Sequence, residues 1–224
     1  MSERNGGTGN RTDRRKARTR AALISAAQTL IAQENLNVPI LEITQAADVG
    51  LGSFYNHFDS REQLFDAAIE EALDRHGALL DAVTAGLADP AEVFAQAFRL
   101  TGRLHRLYPE LSKVLLNSGL GLITSDKGLA PRAHRDIIAG MRTGRFNAIR
   151  DPDLALTIAG GAVLALGRLL HDHPERDAAQ ATDHITEDLL RMFGLTAAEA
   201  TEICARPLPD LVSRTITVWS RDSS

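Results

Sequence analysis

The run Asp48-Val49-Gly50-Leu51-Gly52-Ser53-Phe54-Tyr55-Asn56-His57-Phe58, passing directly into Asp59-Ser60-Arg61-Glu62-Gln63-Leu64, leaves this chain few ways to fold. A glycine-bearing turn leads into a helix too short to be stable alone. Ser60 then caps a further helix, with Glu62 and Gln63 in its first turn, where they complement the free backbone donors. Phe54 and Phe58 lie four residues apart as apolar anchors, and Tyr55 and His57 stand between them as polar arms. Just upstream comes a basic segment, Arg11, Arg14, Arg15, Lys16, Arg18 and Arg20. A basic arm, two helices, a tight turn and a short third helix form the layout of a helix-turn-helix DNA reader.

Charge distribution agrees with that layout. The net charge of −4 excludes a protein that coats nucleic acid by charge alone. Residues 1–20 nevertheless hold seven Lys/Arg against two acids, a net +5, which leaves −9 on the remainder. An electropositive arm on an acidic body follows; a merely solubilising tail is the alternative. The N-terminus is polar, with no apolar stretch resembling a signal peptide. Leu154–Gly167, the most apolar run, is too short to span a bilayer and ends at Arg168. The lone Cys204 has no internal disulfide partner and reads as a small buried hydrophobe. A cytoplasmic protein without membrane contact is expected.

Helical periodicity runs through nearly the whole chain. Leu23, Ala26, Ala27, Leu30 and Ile31 mark a first amphipathic helix beginning near Thr19 and stopping at Asn35. A second helix is expected over Pro39–Ala47, capped by Asn37, and a third over Gly52–Phe58. The fourth runs from Ser60 to about Thr84. Val93, Phe94, Ala97, Phe98, Thr101, Leu104 and Leu107 form one face of a fifth, and Pro109 opens a sixth. Residues 119–130 read as a connecting loop. Helices then follow from Pro131 to Thr143, from Asp151-Pro152 through an all-round apolar Leu154–Leu170, over Arg176–Phe193 to Gly194, and over Thr196–Ala205. An apolar helix without a polar face must be covered on most of its circumference. Arg99, Arg103 and Arg106 fall at helical spacing as a solvated face.

Residues 17–65 resemble the N-terminal domain of the tetracycline-repressor (TetR) family of bacterial transcriptional regulators. The resemblance rests on Phe54-Tyr55-x-His57-Phe58-x-Ser60-Arg61-Glu62-x-Leu64, with Leu23, Ala26, Ala27, Leu30, Ile43, Ala46 and Val49 upstream. It implies an all-α protein: a disordered basic arm (1–16), a helix-turn-helix domain (17–65), a ligand-binding and dimerisation domain (66–206) and a C-terminal extension (207–224). It further implies that Tyr55, His57 and Arg61 contact DNA phosphates, Arg61 standing where the family usually has lysine. Asp48 stands where a glycine is usual, and Asn35–Ile40 lacks the family's threonines.

Base contacts then fall to Leu51, Gly52, Ser53 and Asn56, through a thymine methyl or a base edge. The basic arm, Arg14, Arg15, Lys16 and Arg18, is expected to enter a minor groove. Leu154, Ile158, Gly161, Ala165, Ile185 and Leu189 are expected to pair with their symmetry mates, the alternative being that they only bury each other within one subunit. Phe94, Phe98, Thr101, His105, Leu116, Leu120, Ile138 and Met141 are candidate lining for an effector site. Few polar groups fall on those faces, which favours an apolar or amphipathic effector. No catalytic residues, cofactor or metal are expected; His171-x-His173 before Pro174 reads as a solvated helix end. The expected function is a ligand-responsive repressor binding a palindromic operator as a homodimer. The alternative is an all-helical small-molecule-binding protein or enzyme without DNA binding, which leaves Tyr55, His57 and Arg61 unexplained.

Overall fold

The computed structural model describes residues 7–33, 35, 37–107 and 109–209. These residues form helices and no strand: α1 (Gly7–Ala32), α2 (Ile40–Ala46), α3 (Leu51–Tyr55), α4 (Arg61–Thr84), α5 (Pro90–Leu107), α6 (Pro109–Ser118), a 3-10 segment (Gly119–Thr124), α7 (Ala130–Arg142), α8 (Pro152–Asp172), α9 (Ala178–Phe193) and α10 (Ala197–Ala205). They divide into two compact units. One contains the chain up to Gly77 together with Leu104–Pro131, and the other contains Ala78–Arg103 and the chain from Arg132 onward. This differs from the division at residue 65 expected from the sequence. The difference arises because α6 packs against α1, which joins a stretch of the middle of the chain to the N-terminal helices.

In the first unit, Leu23, Ile24, Ala27 and Ile31 of α1 are buried against Ile43, Phe54, Phe58, Leu64 and Ala68. The i, i+3/i+4 pattern of α1 thus faces a core that the next three helices complete. Lys127 pairs with Glu70 at 2.9 Å and the Gly128 N–H donates to Asp74 Oδ1 at 3.1 Å, tying the loop after the 3-10 segment to α4. Gly128 sits at φ +73°, and a Cβ there would press on Leu73, so glycine is needed on both counts.

In the second unit the core is built on three phenylalanines. Phe94 and Phe146 each meet Phe193 with ring centroids 5.0 Å apart. Asp151 caps α8 by accepting from the Asp153 and Leu154 N–H groups, and Asp177 does the same for α9. Thr196 and Glu199 form a reciprocal capping box on α10. Thr196, together with Arg145, holds the Glu199 carboxyl down at about 2.

Several sequence expectations need correcting. Residues 7–16 were expected to be disordered, yet they are helical and continuous with the rest of α1; Arg11, Arg14, Arg15 and Lys16 are good helix formers, and the packed turns from Leu23 onward provide a nucleus to extend past the weaker Gly, Thr, Asn and Asp positions. Asn37 does not cap α2; Pro39 occupies that position with no side-chain cap bond, its extended backbone (ψ 147°) leading straight in. α3 ends at Tyr55, short of Phe58. The supposed loop 119–130 begins as the 3-10 segment and reaches α7 at Ala130. On α5, Val93 is only half-buried and Leu107 is exposed. α8 spans 21 residues and is apolar enough to cross a membrane by length and composition, because residues 152–153 and 168–172 extend the run that looked too short.

The arginine face of α5 is also reassigned. Arg99 is buried, its Nε 2.8 Å from Asp183 Oδ1 and its Nη1 donating to the Arg206 carbonyl at 2.9 Å. Arg103 reaches the other oxygen of Asp183 at 2.9 Å. Burial pushes the Asp183 carboxyl upward, but the bonds from Arg99 and Arg103 outweigh it and hold the group below its ordinary value. These arginines therefore clasp α5 to α9 instead of forming a solvated face. Beside them a Cβ on Gly102 would collide with Thr182, so α5 and α9 approach closely.

Candidate DNA-reading surface

The reading surface begins with how α2 stops. Asp48 adopts the left-handed region at φ +52°. Its N–H donates to the Gln45 carbonyl at 3.1 Å, and the Val49 N–H donates to the Thr44 carbonyl at 2.9 Å. This pair of bonds is a Schellman stop, which normally places glycine where Asp48 sits. Aspartate tolerates the left-handed region better than most residues, so the turn survives the substitution.

From this turn Gly50 enters α3 in an extended conformation, and the Ser53 N–H closes the first turn onto the Gly50 carbonyl at 2.8 Å. Two rings then orient the helix. Phe54 is fully buried and Phe58 nearly so, with centroids 6.1 Å apart. With that side locked into the core, the opposite side faces outward: Leu51, Gly52, Tyr55 and Asn56 are exposed, and Ser53 and His57 are half-buried. Tyr55 rests edge-on against Phe54 at 5.3 Å with more than half its surface free, so its hydroxyl is presented on a supported ring. A Cβ at Gly52 would meet no protein atom, which leaves that stretch of helix backbone open to the outside.

α1 contributes to the same surface. The His57 imidazole is held below its ordinary value by partial burial and then by the positive charges of Lys16 and Arg20. The end of the basic segment therefore lies beside the short helix. Arg20 stacks over the Phe58 ring at 5.4 Å and lies 3.8 Å from Glu71. Arg20 has an evident place here that the motif did not disclose; its only trace in the sequence was membership of the basic run. Arg14, Arg15, Lys16 and Arg18 are exposed on α1. Arg61 is less free: its Nη1 donates to the Val38 carbonyl at 3.3 Å, and its Nη2 pairs with Glu62 at 2.9 Å. It pins the approach to α2 before it can serve any partner.

The candidate effector-site residues divide between the two units. His105, Leu116 and Leu120 belong to the first, and Phe94, Phe98, Thr101, Ile138 and Met141 to the second. His105 is buried with Nδ1 2.7 Å from the Ser112 hydroxyl, Leu116 is half-buried, and Leu120 is largely exposed. Phe94 is closed in by Phe98, Phe146 and Phe193 and is plain core. Phe98 and Thr101 are buried, the Thr101 hydroxyl donating to Ala97, while Ile138 and Met141 are half-buried on α7.

One polar group in the second unit escaped the sequence reading. Asp81 on α4 accepts from both Arg132 and Arg135 of α7 at 2.8 Å, and Arg135 also bonds Asp136 at 3.0 Å. Burial raises the Asp136 carboxyl, an effect that Arg135 only partly offsets. Asp81 and Arg132 are far apart in the chain, so no local spacing announces the cluster.

Of the expected pairing residues, Leu154, Ile158 and Ala165 are exposed, Gly161 and Ile185 are half-buried, and Leu189 is buried in the second core. Leu189 is therefore an internal contact, as are Leu190 and Phe193, whereas Ile185 is half-covered and Met192 is exposed on the same helix. α8 divides lengthwise, with Ala155, Ala159, Leu166 and Leu170 buried.

This arrangement matches known proteins over both parts of the chain. Residues 23–68 match the model of bacterial regulatory proteins of the tetR family, and residues 89–206 match the tetracyclin repressor-like C-terminal domain. The chain belongs to the TetR family. Its members are transcription regulators with a helix-turn-helix DNA-binding domain and a ligand-binding domain, and are generally not enzymes. The crystal structure of RolR without ligand is 39% identical, with a TM-score of 0.70, over 85% of this chain and 98% of that one. RolR in complex with resorcinol is 38% identical, with a TM-score of 0.64, over 88% and 98%. A putative tetR-family regulator from Shewanella sp. PV-4, at 19% identity and a TM-score of 0.61 over 78% and 95%, shares the fold. No curated protein sequence matches the chain.

Proposed function

We propose that this TetR-family regulator is a cytoplasmic homodimeric repressor, bound to a palindromic operator and released by a small amphipathic effector. The observation that carries the reading is α3, five residues held by Phe54 and Phe58 with Leu51, Tyr55 and Asn56 turned outward. Tyr55 and His57 offer rigid-ring donors to phosphates, which fix register without reading sequence. Arg61 joins them by exchanging Glu62 for a phosphate. Leu51, Gly52, Ser53 and Asn56 meet the base edges, where Leu51 suits a thymine methyl and Asn56 an adenine.

Dimerisation is supported by α8. Leu154, Ile158, Gly161, Ala165 and Leu169 recur at helical spacing along one side, and all but the half-buried Gly161 are exposed. An apolar stripe of this length needs a cover, and a second copy supplies it with two-fold symmetry. Small residues in its middle allow close approach of the two helices.

RolR binds resorcinol, an aromatic ring with two hydroxyls. A ligand of that kind needs apolar walls and a few polar partners. Asp81, Arg132, Arg135 and Asp136 offer the donors and acceptors of such a site; Ile138 and Met141 stand on the other side of α7 and do not share it. The test is a titration of the protein with resorcinol, with and without duplex DNA selected by the protein from a random pool. Resorcinol should release the DNA, and the DNA should weaken resorcinol binding by the same factor. Equal resorcinol affinities in the two titrations would refute effector control.

A further inference from the structure

Residues 7–20 continue α1 beyond the last turn that packs in the core, and their charges are not scattered around it. At 100° per residue, Arg11, Arg14, Arg15 and Arg18 fall within one side of the helix, and all four are exposed. Asp13, the one acid in this stretch, lies on the other side. Lys16 and Arg20 lie on that other side too, in line with Leu23 and Ala27 and close enough to His57 to influence it. The basic segment therefore has two faces with separate tasks: Lys16 and Arg20 serve the reading helix, and the four-arginine stripe is unused by it.

Arg11 and Arg18 are about 10 Å apart along the helix axis. The phosphates of one DNA strand advance ~3.4 Å each along the duplex axis, so the stripe spans about three such steps and has one guanidinium for each of up to four phosphates. Guanidinium groups suit this partner because each can form two parallel bonds to a phosphate. Resting on the DNA-binding reading above, we infer that the N-terminal part of α1 is a rigid basic rod whose Arg11, Arg14, Arg15 and Arg18 stripe grips the DNA backbone flanking each half-site. This replaces the flexible arm in a minor groove with a second, sequence-independent contact surface joined to the reading head without a hinge.

Rigidity separates the two pictures. Ala17→Pro keeps every charge but breaks the helix within the stripe, cutting Arg11, Arg14 and Arg15 off from Arg18 and the packed turns, since proline at that point opens a new helix at residue 17. The full-length dimer should be compared with this variant and with a variant carrying Gln at positions 11, 14, 15 and 18, which preserves helix propensity. Binding to random-sequence duplex is measured against salt concentration, and hydroxyl-radical footprints are taken on a duplex selected by the wild-type protein.

The Gln variant should show a log–log salt slope shallower by about 2–4 per subunit, near 0.9 for each phosphate released. Protection should be lost outside the half-sites and kept within them. Ala17→Pro should behave similarly, with at least tenfold weaker binding at low salt. Wild-type binding by Ala17→Pro, or an unchanged slope in the Gln variant, would overturn the rigid stripe while leaving the reading head intact. Failure of the wild-type protein to bind either duplex would instead overturn the DNA-binding reading on which it rests.

Discussion

α3 and α8 are opposites in almost every respect. α3 has five residues, carries its function on the polar side, and is held by two aromatic rings that admit one orientation. α8 has 21 residues and is apolar nearly all round, yet just over a quarter of its most apolar window is buried within the chain. A very short helix cannot hold itself, so its neighbours must dictate its placement, and what it exposes is then a deliberate presentation. A long apolar helix left partly uncovered presents a demand for a partner instead. The first element is complete within one copy, whereas the second, on the dimer proposed above, is completed by the other copy.

Breaking the assembly should have the largest effect. Leu154→Glu together with Ile158→Glu would set like charges against each other across the α8 pair, at a cost of several kcal/mol. Sedimentation should show monomers at micromolar concentration with normal helix content, and affinity for selected DNA should fall roughly 100-fold or more. A dimer of unaltered stability would mean that the stripe is not the interface.

Removing an α3 anchor should come next and act through folding. Phe54→Ala empties the centre of the first core, for which about 3–5 kcal/mol is the usual cost. Chemical denaturation should show early loss of the N-terminal helices. A variant with the wild-type midpoint would show that Phe54 does not orient the helix. Tyr55→Phe should leave folding untouched and remove one donor per subunit, worth about 1–1.5 kcal/mol or roughly tenfold in affinity for each subunit bound. The loss should be similar on selected and random duplexes, because phosphate contacts carry no sequence; loss on the selected duplex alone would make Tyr55 a base reader.

The smallest effect concerns pH. In the free protein, burial, Lys16 and Arg20 hold His57 below its ordinary 6.5, so it is neutral at pH 7. A phosphate beside it favours the charged form and raises that value, so DNA binding takes up a fraction of a proton per subunit. Affinity should therefore strengthen as pH falls through the interval between the free and bound values, and weaken above it. His57→Gln should flatten the profile, and an equally steep profile in that variant would place the proton elsewhere.

The reading head was largely legible in the sequence because its determinants are local: the spacing of Phe54 and Phe58, the glycine-bearing turn, and Ser60 accepting from the Gln63 N–H as a cap. The same holds for Asp151, Asp177 and Thr196, whose capping roles depend on residues two or three positions away. Contacts between distant residues were not legible. Arg99 and Arg103 sit at helical spacing that suggests a wet face, and only the fold brings Asp183 to them. Leu189 has the periodicity of an apolar face, which does not say whether a partner or the chain's own core covers it. Charge pattern suggested a loose arm in residues 7–16, and their Gly, Thr, Asn and Asp content agreed with it; the helix there extends from the packed turns of α1, which no local feature announces.

The most direct test of the account is selection of DNA from a random pool by the full-length protein, followed by sequencing of what it retains. A two-fold reader with one short helix per subunit should enrich an inverted repeat whose half-site centres lie about one helical turn apart, roughly 34–36 Å, or a multiple of that. Recovery of an unrepeated site, or no enrichment over the starting pool, would contradict it.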